Sequence, residues 1–403
     1  MPLLEALKEI KRIGLSEKEK EVVNITDEPK YFSYLCFPNI FANGKYYTEN
    51  SFGQGYNPDK NLAKIKSIAE YLERLSIDNP NKSSFIESVY QYSEDFARPS
   101  DFVCYSNEQI NRQKFLQEAD KSKYRWIKSN EILTEKEVYI PAQMVFLSKL
   151  FDDEFQLRGE RITTGTSFGK NIEKTLESAI LEVVERDACI GHYLMKQKIL
   201  KIKNLPESSK DLVDYLERYR LYANIFDVTS DLEIPTAMCI TLDKTGIGGA
   251  VNIGSKSSWN MDDAINGSIL ESIQCRRLAR ITNKTRICEG KINSLEDRFF
   301  YWHNVERIGD LDFWLNDSSE IDFNEIGHKN INFSFAIEEF RKRNYRIFEV
   351  DIALQEIKEK EFNVSRVVIP ELHPMYLNED AKMLYSKHYG KIPDLKLKPH
   401  PLT

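Results

Sequence analysis

The sequence lacks any long apolar run. Nowhere in its 403 residues does a stretch approach the roughly 18 apolar residues that a membrane-spanning helix needs. Residues 1–20 form a charged, amphipathic segment without the apolar block of a signal peptide. These absences predict a cytoplasmic protein with no membrane partner.

The sequence also lacks the cysteine and histidine spacings of common metal sites. Its 6 cysteines and 6 histidines are scattered, with no Cys-x-x-Cys pair and no His-x-x-x-His motif. Zinc and iron sites are therefore disfavoured. Any bound metal should be a hard cation held by carboxylates.

Positive charge is in slight deficit, because 56 Lys and Arg residues face 63 Asp and Glu residues, a net charge of −7. This balance disfavours nonspecific binding of nucleic acid. The sequence has no Gly-x-x-x-x-Gly-Lys-Ser/Thr phosphate loop and no His-Arg-Asp kinase motif. An ATP site in this chain would therefore have to be of another design.

The patterns that are present predict an α+β protein. Strand-like runs occupy residues 138–147, 223–228, 234–242, 346–350 and 364–369, and helical patterns occupy residues 59–75, 172–194, 261–281 and 335–343. No Pro/Gly/Ser-rich linker separates them, and 41% hydrophobic residues can bury a substantial core. Helices and strands alternate irregularly, which favours mixed β-sheets with helices packed on them over a doubly wound sheet.

One carboxylate pattern is repeated along the chain. Its copies are Glu70-x-x-Glu73-Arg74, Glu182-x-x-Glu185-Arg186 and the variant Glu271-x-x-Gln274-x-Arg276. Each copy follows a glycine-containing turn, at residues 51–55, 164–169 and 248–254, by a similar interval. Residues three apart share a helix face, so each copy directs two oxygen-bearing side chains the same way. On the first helix, apolar spacing predicts a buried stripe of Leu62, Ile65, Ala69 and Leu72.

Two interpretations of these acidic faces stay open. If they face water, they are ordinary solvated helix surfaces. If the helices converge, Glu70, Glu73, Glu182 and Glu185 surround one cavity and cannot all stay ionised without compensating cations. Mg²⁺ takes oxygen ligands and often nucleotide phosphates, so it would compensate them. Arginines able to bind phosphate oxygens follow these glutamates, at Arg74, Arg186, Arg276 and Arg277.

These motifs resemble the signatures of the YcaO family. The first, a Gly-x-Gly turn and a helix with Ser-x-x-x-Glu-x-x-Glu-Arg, is similar to residues 53–55 and 66–74, with Lys66 in place of serine. The second, Ser-Asn-Gly-x-x-x-Gly and Glu-x-x-Glu-Arg-Asp-Ala, is similar to residues 163–169 and 182–188, with Thr164 in place of asparagine. The third, Glu-x-x-Gln-x-Arg, matches residues 271–276. In this order the motifs identify a YcaO-like catalytic domain over residues 45–403, preceded by a helical and strand extension over residues 1–44.

The resemblance implies an enzyme that uses ATP and Mg²⁺ to activate a backbone amide of a peptide or protein. It implies a magnesium and phosphate region built by Glu70, Glu73, Glu182 and Glu185, which with Arg276 form the catalytic set. It assigns the nucleotide contacts to Lys66, Arg74, Ser178, Arg186, Glu271, Gln274 and Arg277. The amide oxygen would accept the γ-phosphoryl group and leave as phosphate, without a covalent protein nucleophile.

Two products stay open at this point. Attack by a Cys, Ser or Thr side chain of a ribosomal peptide gives an azoline, whereas attack by external sulfide gives a thioamide. Azoline-forming relatives often end in a Pro-x-Pro-x-Pro tail that reaches the active site, and this chain ends in Pro399-His400-Pro401-Leu402-Thr403. The other interpretation of this tail is an ordinary disordered terminus.

The predicted partners favour one of the two products. Azoline-forming relatives usually need a leader-binding module, and the sequence shows no additional domain for one. Thioamide-forming relatives resemble this stand-alone length and work with a TfuA-type partner protein. We therefore predict a thioamide, such as thioglycine, rather than an azoline. A symmetric homodimer is the expected oligomer.

Two interpretations outside this chemistry also remain. A non-catalytic ATP-binding scaffold is disfavoured because the carboxylates and arginines are intact. A plain helical protein with solvated acidic faces would bind no nucleotide. Cys189 and Cys275 lie inside the signature helices, where small apolar-like residues are expected to be core rather than a sulfur relay.

Overall fold

The structure, a computed structural model, describes residues 16–24, 26–38, 41–42, 45–46, 52–281, 291–327 and 331–402. Its strands are β1 (Ser16–Glu21), β2 (Phe32–Pro38), β3 (Phe41–Ala42), β4 (Lys45–Tyr46), β5 (Gly53–Asn57), β6 (Ile86–Val89), β7 (Lys123–Glu131), β8 (Lys136–Pro141), β9 (Thr166–Gly169), β10 (Leu200–Lys203), β11 (Leu221–Asp227), β12 (Thr236–Asp243), β13 (Val251–Ser257), β14 (Ser319–Asp322), β15 (Phe348–Asp351), β16 (Asn363–Val368), β17 (Tyr385–Ser386) and β18 (Gly390–Lys391).

The α-helices are α1 (Lys60–Asp78), α2 (Asn107–Arg112), α3 (Ile172–Leu194), α4 (Glu207–Glu217), α5 (Met261–Ile281), α6 (Leu295–His303), α7 (Asp312–Leu315), α8 (Phe333–Lys342) and α9 (Gln355–Lys358). Short 3₁₀ helices lie at Lys82–Ser84, Pro99–Phe102, Lys114–Lys121, Ala142–Met144, Lys149–Phe151, Val305–Leu311, Phe323–Glu325 and Glu379–Ala381. None of the described helices combines the length and apolar character that crossing a bilayer requires.

Contacts divide the chain into two compact units. The first unit comprises residues 1–103, 107–183 and 345–371, and the second comprises residues 104–106, 184–344 and 372–403. The boundary between residues 183 and 184 falls inside α3, so one continuous helix supplies residues to both units. The predicted boundary at residues 44 and 45 stays a prediction, and residues 1–15 of the predicted extension lie outside the described part.

The first unit contains two larger sheets. One is antiparallel, with strand order β1-β2-β5, and the other has the order β6-β7-β15-β16-β9, with β8 also paired to β7. The named strands of the second sheet pair antiparallel throughout, and β9 lies beside β16 with Phe168 opposite Val364. This pairing places the glycine-containing turn before α3 next to the C-terminal strands of the unit.

Helix α1 approaches β5 very closely. A Cβ atom at Gly53 would lie 2.0 Å from the carbonyl oxygen of Ser67, and a Cβ atom at Gly55 would lie 1.8 Å from that of Ala63. A side chain at either position would overlap the helix backbone, so this contact requires glycine.

The buried face of α1 differs from the prediction. Leu62 is 49% exposed, although Leu72 is buried as expected. Ala63, Ser67 and Tyr71 are buried instead, because the two β5 glycines pack against that side of the helix. The predicted stripe is therefore largely wrong, since apolar spacing cannot anticipate a helix face that packs on glycine.

The second unit is built on a five-stranded sheet of order β13-β12-β11-β10-β14. The β10–β14 pair is parallel and the other pairs are antiparallel, so this sheet is mixed. All residues of the inner strand β12 are buried. Helix α5 packs on this sheet, where a Cβ atom at Gly254 would lie 2.2 Å from both Ser268 O and Ser272 N.

The predicted α+β class with mixed sheets is confirmed. The helices predicted at residues 172–194 and 261–281 have those bounds in the structure. The strand predicted at residues 138–147 ends at Pro141, because a 3₁₀ turn begins at Ala142. Strand β7 and helices α4 and α6 were not predicted.

Candidate active site

Glu70 is fixed by its own helix and by the strand before it. Its Oε2 accepts a hydrogen bond from the backbone N–H of Gln54 at 2.7 Å, and its Oε1 lies 2.6 Å from Arg74 Nη2. Arg74 also lies over the ring of Phe52, 5.4 Å from its centroid. The pattern Glu-x-x-x-Arg therefore forms an intrahelical ion pair that is one-third exposed.

Glu73 and Glu182 lie in the same part of the first unit. Glu73 Oε1 accepts from the backbone N–H of Phe168 at 2.8 Å, and Glu182 Oε2 accepts from that of Gly165 at 3.1 Å. Burial, followed by the charges of Glu182 and Glu70, raises the pKa of Glu73 well above its ordinary value. The structure thus brings Glu70, Glu73 and Glu182 together as a first carboxylate cluster.

Glu185 and Glu271 form a second carboxylate cluster in the second unit. Glu185 is 2% exposed and accepts from Ser255 Oγ at 2.9 Å and from the backbone N–H of Ser257 at 3.2 Å. Glu271 accepts from the backbone N–H of Ser255 at 3.1 Å and lies 3.3 Å from Arg186 Nη2. Burial and the charge of Glu185 raise the pKa of Glu271 to about 7, although Arg186 and then Lys256 oppose the rise.

The copies of the repeat share one hydrogen-bonding plan. The first glutamate of each copy accepts from a backbone N–H that precedes it by 16 or 17 residues: Gln54 for Glu70, Gly165 for Glu182 and Ser255 for Glu271. The second glutamate accepts from the strand that precedes the next copy, Phe168 for Glu73 and Ser257 for Glu185. Each of these carboxylates is therefore oriented by backbone amides, and the internal repeat is a property of the structure.

Helix α3 contributes a carboxylate to both clusters. Glu182 belongs to the first unit and Glu185 to the second, and the two are one helical turn apart on the same face. The sequence left open whether Glu70, Glu73, Glu182 and Glu185 are ordinary solvated side chains. The backbone N–H groups that hold them, and the burial that raises the pKa of Glu73, indicate that they are not.

Arg276 occupies a buried position in the second unit. It is 2% exposed, lies 2.7 Å from Asp243 Oδ2 and donates to the carbonyl oxygen of Gly249 at 3.0 Å. A Cβ atom at Gly248 would lie 2.1 Å from Arg276 Nη2. A side chain at this position of the glycine turn would therefore overlap the guanidinium. The predicted contact of Arg276 with nucleotide stays a prediction.

The other predicted nucleotide-binding residues are less enclosed. Lys66 on α1 and Ser178 on α3 are exposed, and Gln274 on α5 is partly exposed. The side chain of Arg277 lies outside the described part of the chain, as does that of Cys275. The predicted contacts of these residues with nucleotide stay predictions.

Sequence reasoning missed several residues that hold these carboxylates. Ser255 and Ser257 follow Gly254 at alternate positions of β13, and Asp243 ends β12 opposite Arg276. The only sequence signal of the two serines was the alternation after the third glycine turn, and Asp243, which pairs with Arg276, had none. Arg366 of β16, which holds the turn at Gly165, had no signal at all.

The donor set suits a hard cation. Among the described residues no three His, Cys, Asp or Glu side chains form a preformed metal site. Mg²⁺, however, is usually held by one or two carboxylates together with substrate phosphates and water. Clustered carboxylates, in which burial and neighbouring charges raise the pKa values of Glu73 and Glu271, fit that mode of binding, because a divalent cation relieves their repulsion.

Comparison with known proteins agrees with this geometry. Residues 53–373 match the family described as YcaO cyclodehydratase, ATP- and Mg²⁺-binding. The chain therefore belongs to the YcaO family, and the predicted ligands ATP and Mg²⁺ are those of the family. No curated protein matches the sequence.

Solved structures share the fold at low sequence identity. A heterocyclase in complex with substrate and cofactor has a TM-score of 0.74 and 14% identity over 100% of this chain, which spans only 56% of the length of that heterocyclase. YcaO from Methanopyrus kandleri bound with AMPPCP and Mg²⁺ has a TM-score of 0.69 and 16% identity, covering 98% of this chain and 95% of that one. A chain of the E. coli microcin synthetase McbBCD complex has a TM-score of 0.68 and 14% identity, covering 96% of each chain. The predicted YcaO-like fold is confirmed.

Proposed function

We propose that this protein uses ATP to activate a backbone amide of a peptide or protein and converts it to a thioamide, such as thioglycine, with external sulfide. The observation that carries this proposal is the repeated set of glutamates, each oriented by backbone amides, in a chain of an ATP- and Mg²⁺-binding family. Such fixed carboxylates suit phosphoryl transfer, where catalysis rests on positioning and charge stabilisation.

The acidic residues have a distinct role in this proposal. Glu70, Glu73, Glu182 and Glu185 would hold Mg²⁺, which when bound neutralises charge on the phosphates. Arg74 and Arg186 are each paired with a glutamate of the repeat and are partly exposed. Their guanidinium groups would bind phosphate oxygens and stabilise the transferred phosphoryl group.

The proposed reaction balances without a protein nucleophile. Hydrosulfide adds to the amide carbonyl carbon and gives a tetrahedral oxyanion. The oxyanion takes the γ-phosphoryl group of ATP, and ADP leaves. The C–O bond then breaks, phosphate departs with the bonding electrons, and the C=S bond forms as sulfur loses its proton.

The cysteines whose side chains the structure describes support an external source of sulfur. Among the described residues Cys36, Cys104, Cys189 and Cys239 are buried. Burial raises the pKa of Cys239 to about 11, and burial together with the charge of Glu185 raises that of Cys189 well above the ordinary value. Buried neutral thiols are poor nucleophiles, which favours free sulfide or a partner protein as the donor.

An azoline-forming cyclodehydratase is the alternative. It is favoured by the similarity of the fold to a heterocyclase, to the heterocyclase TruD and to the microcin synthetase complex. In that case a Cys, Ser or Thr side chain of the substrate attacks the carbonyl carbon instead of sulfide. A leader-binding partner would then replace the TfuA-type partner that we propose for thioamide formation.

The mass of the product distinguishes the two reactions. The protein is incubated with ATP, Mg²⁺, sulfide and a candidate peptide, with and without a TfuA-type partner. The mass of the peptide is then measured by mass spectrometry. We expect a heavier peptide, because sulfur replaces oxygen. A lighter peptide, produced without sulfide by loss of water, would establish the azoline reaction, and an unchanged peptide with every partner would contradict both.

A further inference from the structure

Arg366 of β16 is a buried cation beside the first carboxylate cluster. It is 5% exposed, and its guanidinium donates to the carbonyl oxygens of Ile162 at 2.8 Å and Thr163 at 2.5 Å. It also donates to the carbonyl oxygen of Thr164 and to Thr166 Oγ1. One side chain therefore binds four acceptors, from residues 162–164 and 166, of the turn that leads into β9.

Among the described residues, the guanidinium of Arg366 forms hydrogen bonds but no ion pair. Its hydrogen-bond partners are neutral oxygens, and its Nε is buried without a partner. Burial lowers the pKa of Arg366 to about 10, and the charge of Glu182 acts in the opposite direction. The guanidinium is therefore still a cation at neutral pH, close enough to Glu182 to interact with its charge.

The same turn presents the amide that holds Glu182. Gly165 has φ +86°, donates its N–H to Glu182 Oε2 at 3.1 Å and accepts from the N–H of Val367 at 2.7 Å. A Cβ atom at Gly165 would lie 2.4 Å from the carbonyl oxygen of Val367. Two adjacent residues of β16, Arg366 and Val367, thus fix the turn through its carbonyl groups.

We propose that Arg366 is a positioning residue for Glu182. By holding the carbonyl groups of residues 162–164 it fixes the Gly165 N–H on Glu182 Oε2 and so orients the carboxylate that we propose for Mg²⁺. Its positive charge also offsets the negative charge of Glu182. This proposal rests on the proposed function, because it assumes that this cluster binds Mg²⁺ with nucleotide.

The test compares Arg366→Lys and Arg366→Met with the wild-type protein. Lysine keeps the charge but cannot reproduce the planar fork that reaches several carbonyl groups. We measure the Mg²⁺ concentration needed for half-maximal binding of a non-hydrolysable ATP analogue, together with the unfolding temperature. Removing a residue that orients a metal ligand typically weakens metal binding by about 10- to 100-fold, and we expect an increase of at least about tenfold in both variants.

Arg346 provides the matched control. It lies near β15 in the same unit and pairs with Glu371 and Asp101, away from the turn at residues 162–166. Arg346→Lys should leave the Mg²⁺ requirement unchanged. If the Arg366 variants do not fold, Thr166→Val removes one acceptor of the guanidinium more gently and should raise the Mg²⁺ requirement about two- to threefold, as the loss of one hydrogen bond of roughly 0.5 kcal/mol implies.

The outcomes separate this proposal from the proposed function. A folded Arg366→Lys or Thr166→Val variant with the wild-type Mg²⁺ requirement would overturn the positioning role while leaving the function intact. A wild-type protein that binds no nucleotide with Mg²⁺ would instead overturn the proposed function, and this proposal with it.

Discussion

At the scale of single residues, the carboxylates of the repeat are held by backbone amides from distant strands. Glu73 is bound by Phe168 and Glu185 by Ser257. The sequence predicted which glutamates share a helix face, because their spacing alone places them there. It could not predict the donors, since these depend on how strands pack against helices far along the chain.

We expect Glu73→Gln to separate stability from function. Glutamine retains an oxygen for the Phe168 N–H and removes a charge whose neighbours, Glu182 and Glu70, repel it. The unfolding temperature should not fall, whereas Mg²⁺-dependent ATP hydrolysis should drop on the order of a hundredfold. Glu177→Gln, which changes a glutamate paired with Lys174, is the control and should retain activity.

His388 provides a pH prediction in the second unit. Burial opposes protonation of its imidazole, but hydrogen bonds and charges from Asp187 and Asp231 more than offset burial and raise the pKa of His388 to about 9. A group whose pKa is higher in the folded than in the unfolded protein stabilises the folded state fully at pH values below its unfolded pKa. For His388 the unfolded pKa is 6.5, and the stabilisation is lost as the pH rises through about 9. Protonated His388 contributes at most about 3 kcal/mol to the free energy of unfolding.

This prediction is checked by urea unfolding between pH 6 and pH 10 in roughly unit steps. The free energy of unfolding should fall across this range in the wild type more steeply than in His388→Gln. The neighbouring exposed residue offers the control, Lys387→Gln, which should keep the wild-type slope. Equal slopes in the wild type and His388→Gln would show that the two carboxylates do not hold the imidazolium.

At the scale of elements, helices α3 and α5 were predicted to the residue because each is long, with 23 and 21 residues. The buried face of α1 was not, because it packs on the β5 glycines rather than on large apolar side chains. Strand β7 and helix α4 are shorter, with 9 and 11 residues, and were not predicted. The sequence pattern therefore predicts the helices that carry the glutamates more accurately than it predicts which helix faces are buried.

The close approach of α5 to β13 predicts a large effect of one methyl group. In Gly254→Ala the new Cβ atom would meet the backbone of Ser268 and Ser272 at 2.2 Å, so the helix would have to move. We expect a loss of at least about 2 kcal/mol in the free energy of unfolding. Gly327→Ala is the control, because a Cβ atom there meets nothing within 4 Å; similar denaturant midpoints for both variants would refute the packing argument.

The C-terminal tail is an ordered element in the structure. His400 is fully buried, its carbonyl oxygen accepts from Arg298, and Tyr193 donates to the carbonyl oxygen of Lys398 at 2.8 Å. The interpretation as an ordinary disordered terminus is therefore wrong for residues 399–402. Thr403 lies outside the described part, and a role of the tail in turnover stays a prediction.

Removal of residues 399–403 should destabilise the protein. Leu402 is 1% exposed, and Arg298 would lose the carbonyl oxygen of His400 while remaining buried. We expect a loss of at least about 2 kcal/mol in calorimetric or denaturant unfolding. Lys398→Ala changes an exposed side chain and should be neutral, whereas unchanged stability after the truncation would show that these contacts contribute nothing.

At the scale of the whole molecule, the order of the motifs predicted the family correctly, because each copy pairs a glycine turn with its own glutamate helix. The same motifs do not distinguish thioamide from azoline formation, since both reactions use the same activated amide and differ only in the attacking group. The compartment, the TfuA-type partner and the homodimer stay predictions. These properties depend on surfaces and partners that motif spacing does not encode.

The central claim is that these glutamates bind nucleotide together with Mg²⁺. Calorimetric titration of the wild-type protein and of Glu70→Gln/Glu182→Gln with a non-hydrolysable ATP analogue, each with and without Mg²⁺, tests it most directly. We predict saturable binding by the wild type that requires Mg²⁺ and is lost in the folded double variant. Binding that is equally tight in both proteins, or that does not depend on Mg²⁺, would contradict the account.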